Sequence, residues 1–320
     1  MQNKLLNGWY IFMKIITKTN AQIFLLLNAL FWGSSYIWLK MLLRFLPPFT
    51  ILFICSILGL IVTVVLFKEY LRNFNKKAVF ICILISLVSV VSNTFCMLAL
   101  KRTSGSNTAF IVQLSIVITP IIMAILERKA PTLKTIILAL MSMAGIFLIT
   151  CSGTGLHINL GDIFALCNAI CFSLFIALQN KFSQIVNPIQ FTFIQHATNF
   201  VAFLSLALIF ESSTISFNNV VSPIFFILLG LNAMVIIFTS LFQSSAIKYV
   251  RPENATVIYA FEPVTAALLG AVLLGERFTG IQSIVGCIII LLAVIISATN
   301  FRCFFGKCTP KLLLPSNTRI

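Results

Sequence analysis

The residue with the most chemistry in this sequence is a carboxylate placed inside a long apolar run. Glu262 lies well within the run 254–274. If that run crosses a bilayer, the carboxylate costs about 2.5–3.5 kcal/mol on insertion scales and has to face protein or water. Two roles suit it. It is either a proton carrier or contact for an amine, or a partner for backbone groups that the neighbouring Pro263 leaves unbonded. The second reading is favoured, because a carboxylate next to proline suits that task. At 3.6 residues per turn Tyr259, Glu262 and Ala266 share a helix face. Ala267, Ala271 and Gly275, spaced by four, form a separate small-residue face for close helix packing.

Other polar groups sit in other apolar runs. Trp32 and Tyr36 are four residues apart and share a face, with Gly33 allowing close approach. They suit an aromatic wall for a cation or an apolar side chain, or else an interfacial anchor, the role that fits Trp38 better. Thr192, His196 and Asn199 form one stripe with Gln195 beside it. That stripe reads as interhelical hydrogen bonding, with a proton relay at His196 as the alternative. Asn93, Gln113, Asn168 and Asn232 are single amides in four different runs. Each alone is packing glue; together they suggest a shared polar interior. No Lys or Arg lies clearly inside a run, which ranks phosphorylated ligands low. There is no HExxH, P-loop, nucleophile elbow or nucleotide-binding domain, so no cofactor, metal or catalytic residue is expected and the chain does not read as an enzyme.

These groups need elements to hold them, and composition identifies the elements. The chain has 320 residues, 60% of them hydrophobic and 9% charged, with mean hydropathy +1.08. A soluble domain carries about 25% charge. Ten apolar stretches are long enough to be membrane helices: 21–39, 47–67, 78–100, 105–126, 133–151, 160–180, 188–210, 223–247, 254–274 and 279–299. Most of the nine Cys, among them Cys82, Cys96, Cys167, Cys171 and Cys287, lie inside these runs and read as small packing residues. Cys303 and Cys308 follow the last run. Residues 1–20 read as a cytoplasmic tail without a cleavage site, and 300–320 as a second tail.

Charge sets the direction. With the N-terminus inside, 17 of the 22 Lys and Arg residues fall on the cytoplasmic side, a strong bias for short loops. The basic balance of +15 therefore belongs to membrane orientation and anionic headgroups, and nucleic acid is not expected as a partner.

The chain also repeats itself. Ala99-Leu100-Lys101, Asn107 and Ile111 recur at Ala246-Ile247-Lys248, Asn254 and Ile258, each 147 residues on. Asn28-Ala29 is echoed by Asn168-Ala169. Glu127-Arg128 is paired with Glu276-Arg277, where the offset becomes 149 and an insertion of two residues is implied. Only in that last register does Gln113 align with Glu262. Each unit has five spans, an odd number, so the second enters from the opposite side. Inverted repeats place a pathway between the halves and suit alternating access.

Two motif groups resemble a known family. Phe31-Trp32-Gly33-Ser34-Ser35 is similar to a signature of the EamA branch of the drug/metabolite transporter superfamily. Arg251-Pro252-Glu253-Asn254-Ala255, Phe261-Glu262-Pro263 and Leu274-Gly275-Glu276-Arg277 resemble that branch's ninth-span region. The likeness covers 21–299. It departs from the pattern in the first half, where Pro120 lies seven residues before Glu127, against thirteen from Pro263 to Glu276. The resemblance implies an all-α integral membrane protein of ten transmembrane helices in two inverted five-helix repeats, 21–151 and 160–299. It also implies export of amino acids, other metabolites or drug-like compounds. Trp32, Tyr36, Asn93, Gln113, Asn168, Asn232, Tyr259 and Glu262 are the expected cavity residues. The expected partners are a small-molecule substrate and the lipid bilayer of a bacterial inner membrane, with both termini cytoplasmic. Coupling to a proton or ion, and a homodimer, are compatible with the sequence; an intramembrane enzyme or a receptor is the rival.

Overall fold

The computed structural model describes residues 16–150, 159–212, 222–275 and 280–298. The expected tails, the Glu276-Arg277 pair, Cys303 and Cys308 lie outside these residues. The first half contains α1 (Ala21–Leu42), α2 (Pro48–Phe67), α3 (Lys76–Arg102), α4 (Gly105–Val112), α5 (Ser115–Glu127) and α6 (Leu133–Thr150). The second contains α7 (Leu160–Phe182), α8 (Pro188–Phe210), α9 (Pro223–Ala246), α10 (Pro252–Tyr259), α11 (Glu262–Leu274) and α12 (Gly280–Ala298). Eight elements, taking α4–α5 and α10–α11 as one each, are long and apolar enough to span a membrane. Within α6 and α12 lie two shorter apolar segments. Together they coincide with the ten expected spans. Large apolar side chains such as Ile23, Val65, Phe80, Ile125, Leu140, Val201 and Ile281 point outward. Such a surface is costly in water and at home in lipid.

The two halves interlock. α1 packs mainly on α9, and α7 on α3; α2 packs on α8, and α6 on α12. Each pairing joins one half to the other, so the core belongs to both. α2 and α8 occupy equivalent places and run antiparallel. At one end, the Glu211 carboxylate accepts from the Phe49 and Thr50 backbone N–H groups at 2.9 and 2.8 Å and from the Thr50 hydroxyl at 2.8 Å. These are donors that the start of α2 cannot satisfy within the helix. At the other end, the Gln190 amide donates to the Tyr70 and Arg72 carbonyls. The repeats are therefore inverted.

Several contacts occur twice. Lys40 Nζ, near the end of α1, donates to the Leu100 and Thr103 carbonyls at the end of α3. Asn180, near the end of α7, donates to Ile247 and Val250 at the end of α9. Gly33 of α1 leaves no room for a side chain: an added Cβ would lie 2.5 Å from the Glu262 carbonyl oxygen and 2.6 Å from Thr265 Cβ. Its counterpart on α7, Ser173, donates to the Ser115 carbonyl at 3.5 Å.

The fourth and ninth spans are not the single helices expected from hydropathy. Each breaks near its middle, at Gln113–Leu114 and at Ala260–Phe261. Tight turns bridge the gaps. Ile116 and Val117 donate to Gln113 and Leu114, and Ala260 and Phe261 donate to Val257 and Ile258. In lipid such backbone groups have no water to turn to. Pro263 sits at the second position of α11, where a missing N–H is tolerated. Tyr259 and Glu262 consequently lie on different helices, the first packed on Trp32 and the second bonded to Tyr36 of α1. The buried small residues of α11 are Ala266 and Gly270, not the expected stripe of Ala267, Ala271 and Gly275.

The break also corrects the repeat. α5 and α11 start at Ser115 and Glu262 and end at Glu127 and Leu274, so the offset of 147 is kept with no insertion. Both are followed by a left-handed residue, Arg128 at φ 54° and Gly275 at φ 67°. Ser115, not Gln113, is the counterpart of Glu262.

Candidate functional site

Between the halves lies a cavity of about 140 Å³. Its walls come from α1, α2 and α3 of one repeat and α7, α8 and α9 of the other, with Val112 of α4 and Glu262 of α11 at the broken spans. It therefore sits where discontinuous helices expose their ends. Glu262 is the first residue of α11, so its carboxylate lies at the positive end of that helix. It is 1% exposed. One oxygen accepts from the Tyr36 hydroxyl at 3.3 Å, and the other makes no hydrogen bond of ordinary geometry. The expectation that Glu262 serves backbone groups freed by Pro263 is not met, because its partner is a side chain of α1.

Six of the eight expected residues line this space: Trp32, Tyr36, Asn93, Asn168, Asn232 and Glu262. Two do not. Gln113 is buried beside Glu262 at the first break, with neither amide atom well bonded. Tyr259 is fully buried. Its hydroxyl donates to Gln243 Oε1 at 3.1 Å and accepts from Asn28 Nδ2 at 3.2 Å. Its ring packs on Trp32 at 5.4 Å and on Phe172 at 6.1 Å. It supports the cavity wall from behind.

Residues assigned to packing line the cavity instead. Gln195, His196 and Asn199 of α8 do so, and the His196 ring lies against Gly59 of α2, 2.9 Å from where a Cβ would be. Thr192 keeps the expected interhelical role, with its hydroxyl 3.2 Å from that of Ser244 on α9, and Gln195 keeps it as well as lining the cavity, its amide donating to the Ser89 hydroxyl of α3 at 3.2 Å. Gln179, Gln243 and several Ser and Thr residues add to the polar lining. The lining includes no Lys or Arg, and Glu262 is its single acidic group.

The two ends of the cavity differ. Toward the membrane face where α1 begins, Gln243 Nε2 donates to Gln179 Oε1 at 2.6 Å. Gln243 Oε1 in turn accepts from Tyr259 and, at 3.4 Å, from Asn28. Gln179 and Gln243 are only 5% and 2% exposed. The repeat equivalents of Asn28, Gln179, Gln243 and Tyr259 are Asn168, Leu39, Cys96 and Val112. All four line the cavity, and Leu39, Cys96 and the nearby Asn93 are only half-buried. A hydrogen-bonded cluster ties one end together; at the other end Asn168 donates to Ser92, and Val112 is buried while Leu39 and Cys96 are half-buried.

Comparison with known proteins gives this arrangement a setting. The model of the EamA-like transporter family matches residues 19–151 and again 159–299. A protein of Archaeoglobus fulgidus named "uncharacterized transporter" is 27% identical over 282 residues, covering 88% of this chain and 86% of its own. Another of that name, from Clostridium kluyveri, is 24% identical over 295 residues, 87% of this chain and 93% of its own. A solved crystal structure shares the fold with a TM-score of 0.72 at 16% identity, covering 88% of this chain and 99% of that one. With ten apolar spans, two interlocked repeats and a family match to each half, the chain belongs to the EamA-like transporter family and is a multi-pass membrane transporter.

Proposed function

We propose that the chain is a secondary transporter that moves small organic metabolites by alternating access, and that it works as an exporter from the bacterial cytoplasm with both termini inside. The observation that carries this reading is the cavity itself. Both repeats build its walls, and its two ends are related by the repeat yet differently closed. On this reading the structure is the state open to the face where Lys40 and Glu211 lie. The reverse state would close Leu39, Cys96, Val112 and Asn168 together and part the Asn28–Gln179–Gln243–Tyr259 cluster. Transport would be gradient-driven or facilitative, with Glu262 as the group that could couple a proton. Export is the direction the family resemblance implies.

The test is reconstitution of the full chain in liposomes. Counterflow of a labelled solute, recovered chemically unchanged, is the expected result. Product formation without flux would point to an enzyme and sink the proposal. Glu262→Gln at a series of pH values separates proton coupling from simple facilitation: an unchanged rate and profile would remove the proton role.

A further inference from the structure

The link between α2 and α3 gathers positive charge at one place on the surface. Residues 68–77 hold Lys68, Arg72, Lys76 and Lys77, with Glu69 as their single acid. All four cations are exposed. Among the described residues none of the four has an ion-pair partner, in contrast to Arg251, which bridges Glu127 and Glu253. Lys76 and Lys77 also open α3, whose first turn contains no acid. A helix start disfavours cations, so the charge is concentrated against the local preference.

The backbone that carries these cations is well held. Phe67 is fully buried, and the Gln190 amide of α8 donates to the Tyr70 and Arg72 carbonyls. The Phe74 ring lies 6.0 Å from that of Phe193, and the Asn75 side chain accepts from the Lys77 backbone N–H at 2.9 Å. The cations continue into apolar faces. Ile61, Val65 and Lys68 follow one another at helical spacing at the end of α2, as do Lys77, Phe80 and Leu84 at the start of α3. The four apolar residues of these two series are exposed. A charged end on an apolar face matches a molecule with an anionic head and hydrocarbon tails. The counterpart link of the second repeat, residues 211–222, contains no Lys or Arg, so joining the two helices does not call for them. Without these four, 13 of the 17 Lys and Arg residues on the expected cytoplasmic side remain, against 5 on the other. That is still a strong bias, so orientation does not call for them either.

We infer that the α2–α3 link is a docking surface for an anionic phospholipid of the surrounding bilayer. The headgroup phosphate lies among Lys68, Arg72, Lys76 and Lys77, and the acyl chains run along the apolar faces of α2 and α3. A soluble anion would use the cations alone and leave those faces uncovered. The inference goes beyond the transporter reading and stands without it, because the surface lies outside the cavity. Each basic residue close to an anionic membrane surface contributes about fivefold in affinity, so four together make a selective site.

The test uses the purified full chain in a neutral detergent, where orientation in a membrane plays no part. Three probes are compared: phosphatidylglycerol, phosphatidylcholine with the same acyl chains, and glycerol 3-phosphate. Bound molecules are counted by native mass spectrometry, and affinity is read from the shift in unfolding temperature. Phosphatidylglycerol is expected to bind at least tenfold more tightly than either of the others. A variant combining Lys68→Gln, Arg72→Gln, Lys76→Gln and Lys77→Gln is expected to lose at least tenfold of that affinity. A matched variant combining Arg128→Gln, Lys129→Gln, Lys181→Gln and Lys248→Gln removes the same charge elsewhere and is expected to lose less than threefold. Equal binding of the two phospholipids by the native chain overturns the inference, and this arm needs no variant to fold. Equal losses in the two variants overturn it as well, because the effect is then one of overall charge. Glycerol 3-phosphate bound as tightly as phosphatidylglycerol shows a site for soluble anions and overturns the assignment to lipid.

Discussion

Gly33 shows how closely the first and ninth spans are fitted. A methyl group there would meet the Glu262 backbone at 2.5 Å, and backbone cannot rotate away as a flexible side chain can. Gly33→Ala is therefore expected to cost about 1–3 kcal/mol, the usual range for overpacking. It should also displace the carboxylate from Tyr36. A lowered unfolding temperature together with lost transport is the expected readout; a stable, active Gly33→Ala would mean that the two spans separate freely. Gly33 was legible in the sequence, because a glycine flanked by Trp32 and Tyr36 reads as a place of close approach. The lining by Trp32 and Tyr36 was legible in the same way, since four-residue spacing puts two side chains on one face whatever the helix does next. Gln195, His196 and Asn199 were harder. A polar stripe on an apolar helix looks the same whether it meets another helix or a cavity, and only the partner helices decide.

Among the elements, the spans were plain from hydropathy, and their breaks were not. Hydropathy runs unbroken through Gln113–Leu114, and no proline marks that point. Pro263 marks the second break, yet a proline next to a carboxylate in an apolar run also fits a kink in one helix. The register of the repeat failed for a related reason: Glu127-Arg128 and Glu276-Arg277 match by residue type, whereas helix ends match at Arg128 and Gly275. The start of α2 offers a sharp test of how helix ends are held. Glu211, from the end of α8, is the acceptor for two backbone donors and one hydroxyl there. Glu211→Ala leaves those donors unpaired in a buried place, at about 1–3 kcal/mol. The expected result is a lowered unfolding temperature, with Glu211→Gln intermediate because one acceptor oxygen remains. An unchanged temperature for both would show that water reaches the α2 terminus.

For the whole molecule, the balance between the two cavity ends is the quantity of interest. Four hydrogen bonds join Asn28, Gln179, Gln243 and Tyr259. Side-chain hydrogen bonds between membrane helices average about 0.6 kcal/mol, so the cluster contributes roughly 2 kcal/mol to closing its end, or about 30-fold in population. With Leu39→Cys as the single cysteine, a membrane-impermeant thiol reagent is expected to label the chain from the Lys40 face. Asn28→Leu with Gln243→Leu is expected to reduce that labelling several-fold as the population moves to the other state. Labelling from the opposite face in the unaltered chain would contradict the assigned opening. The inverted repeat has a use in engineering too. Each half is a working solution to the same structural problem, so each can serve as the template for repairing the other. After α5 the chain places Arg128 in a left-handed conformation, where the equivalent position after α11 holds Gly275. A side chain in that region costs about 1–2 kcal/mol that glycine avoids. Copying the second half's choice into the first, as Arg128→Gly, is a change the molecule has already tried out on itself, and a gain of about 1 kcal/mol in stability is the expected return.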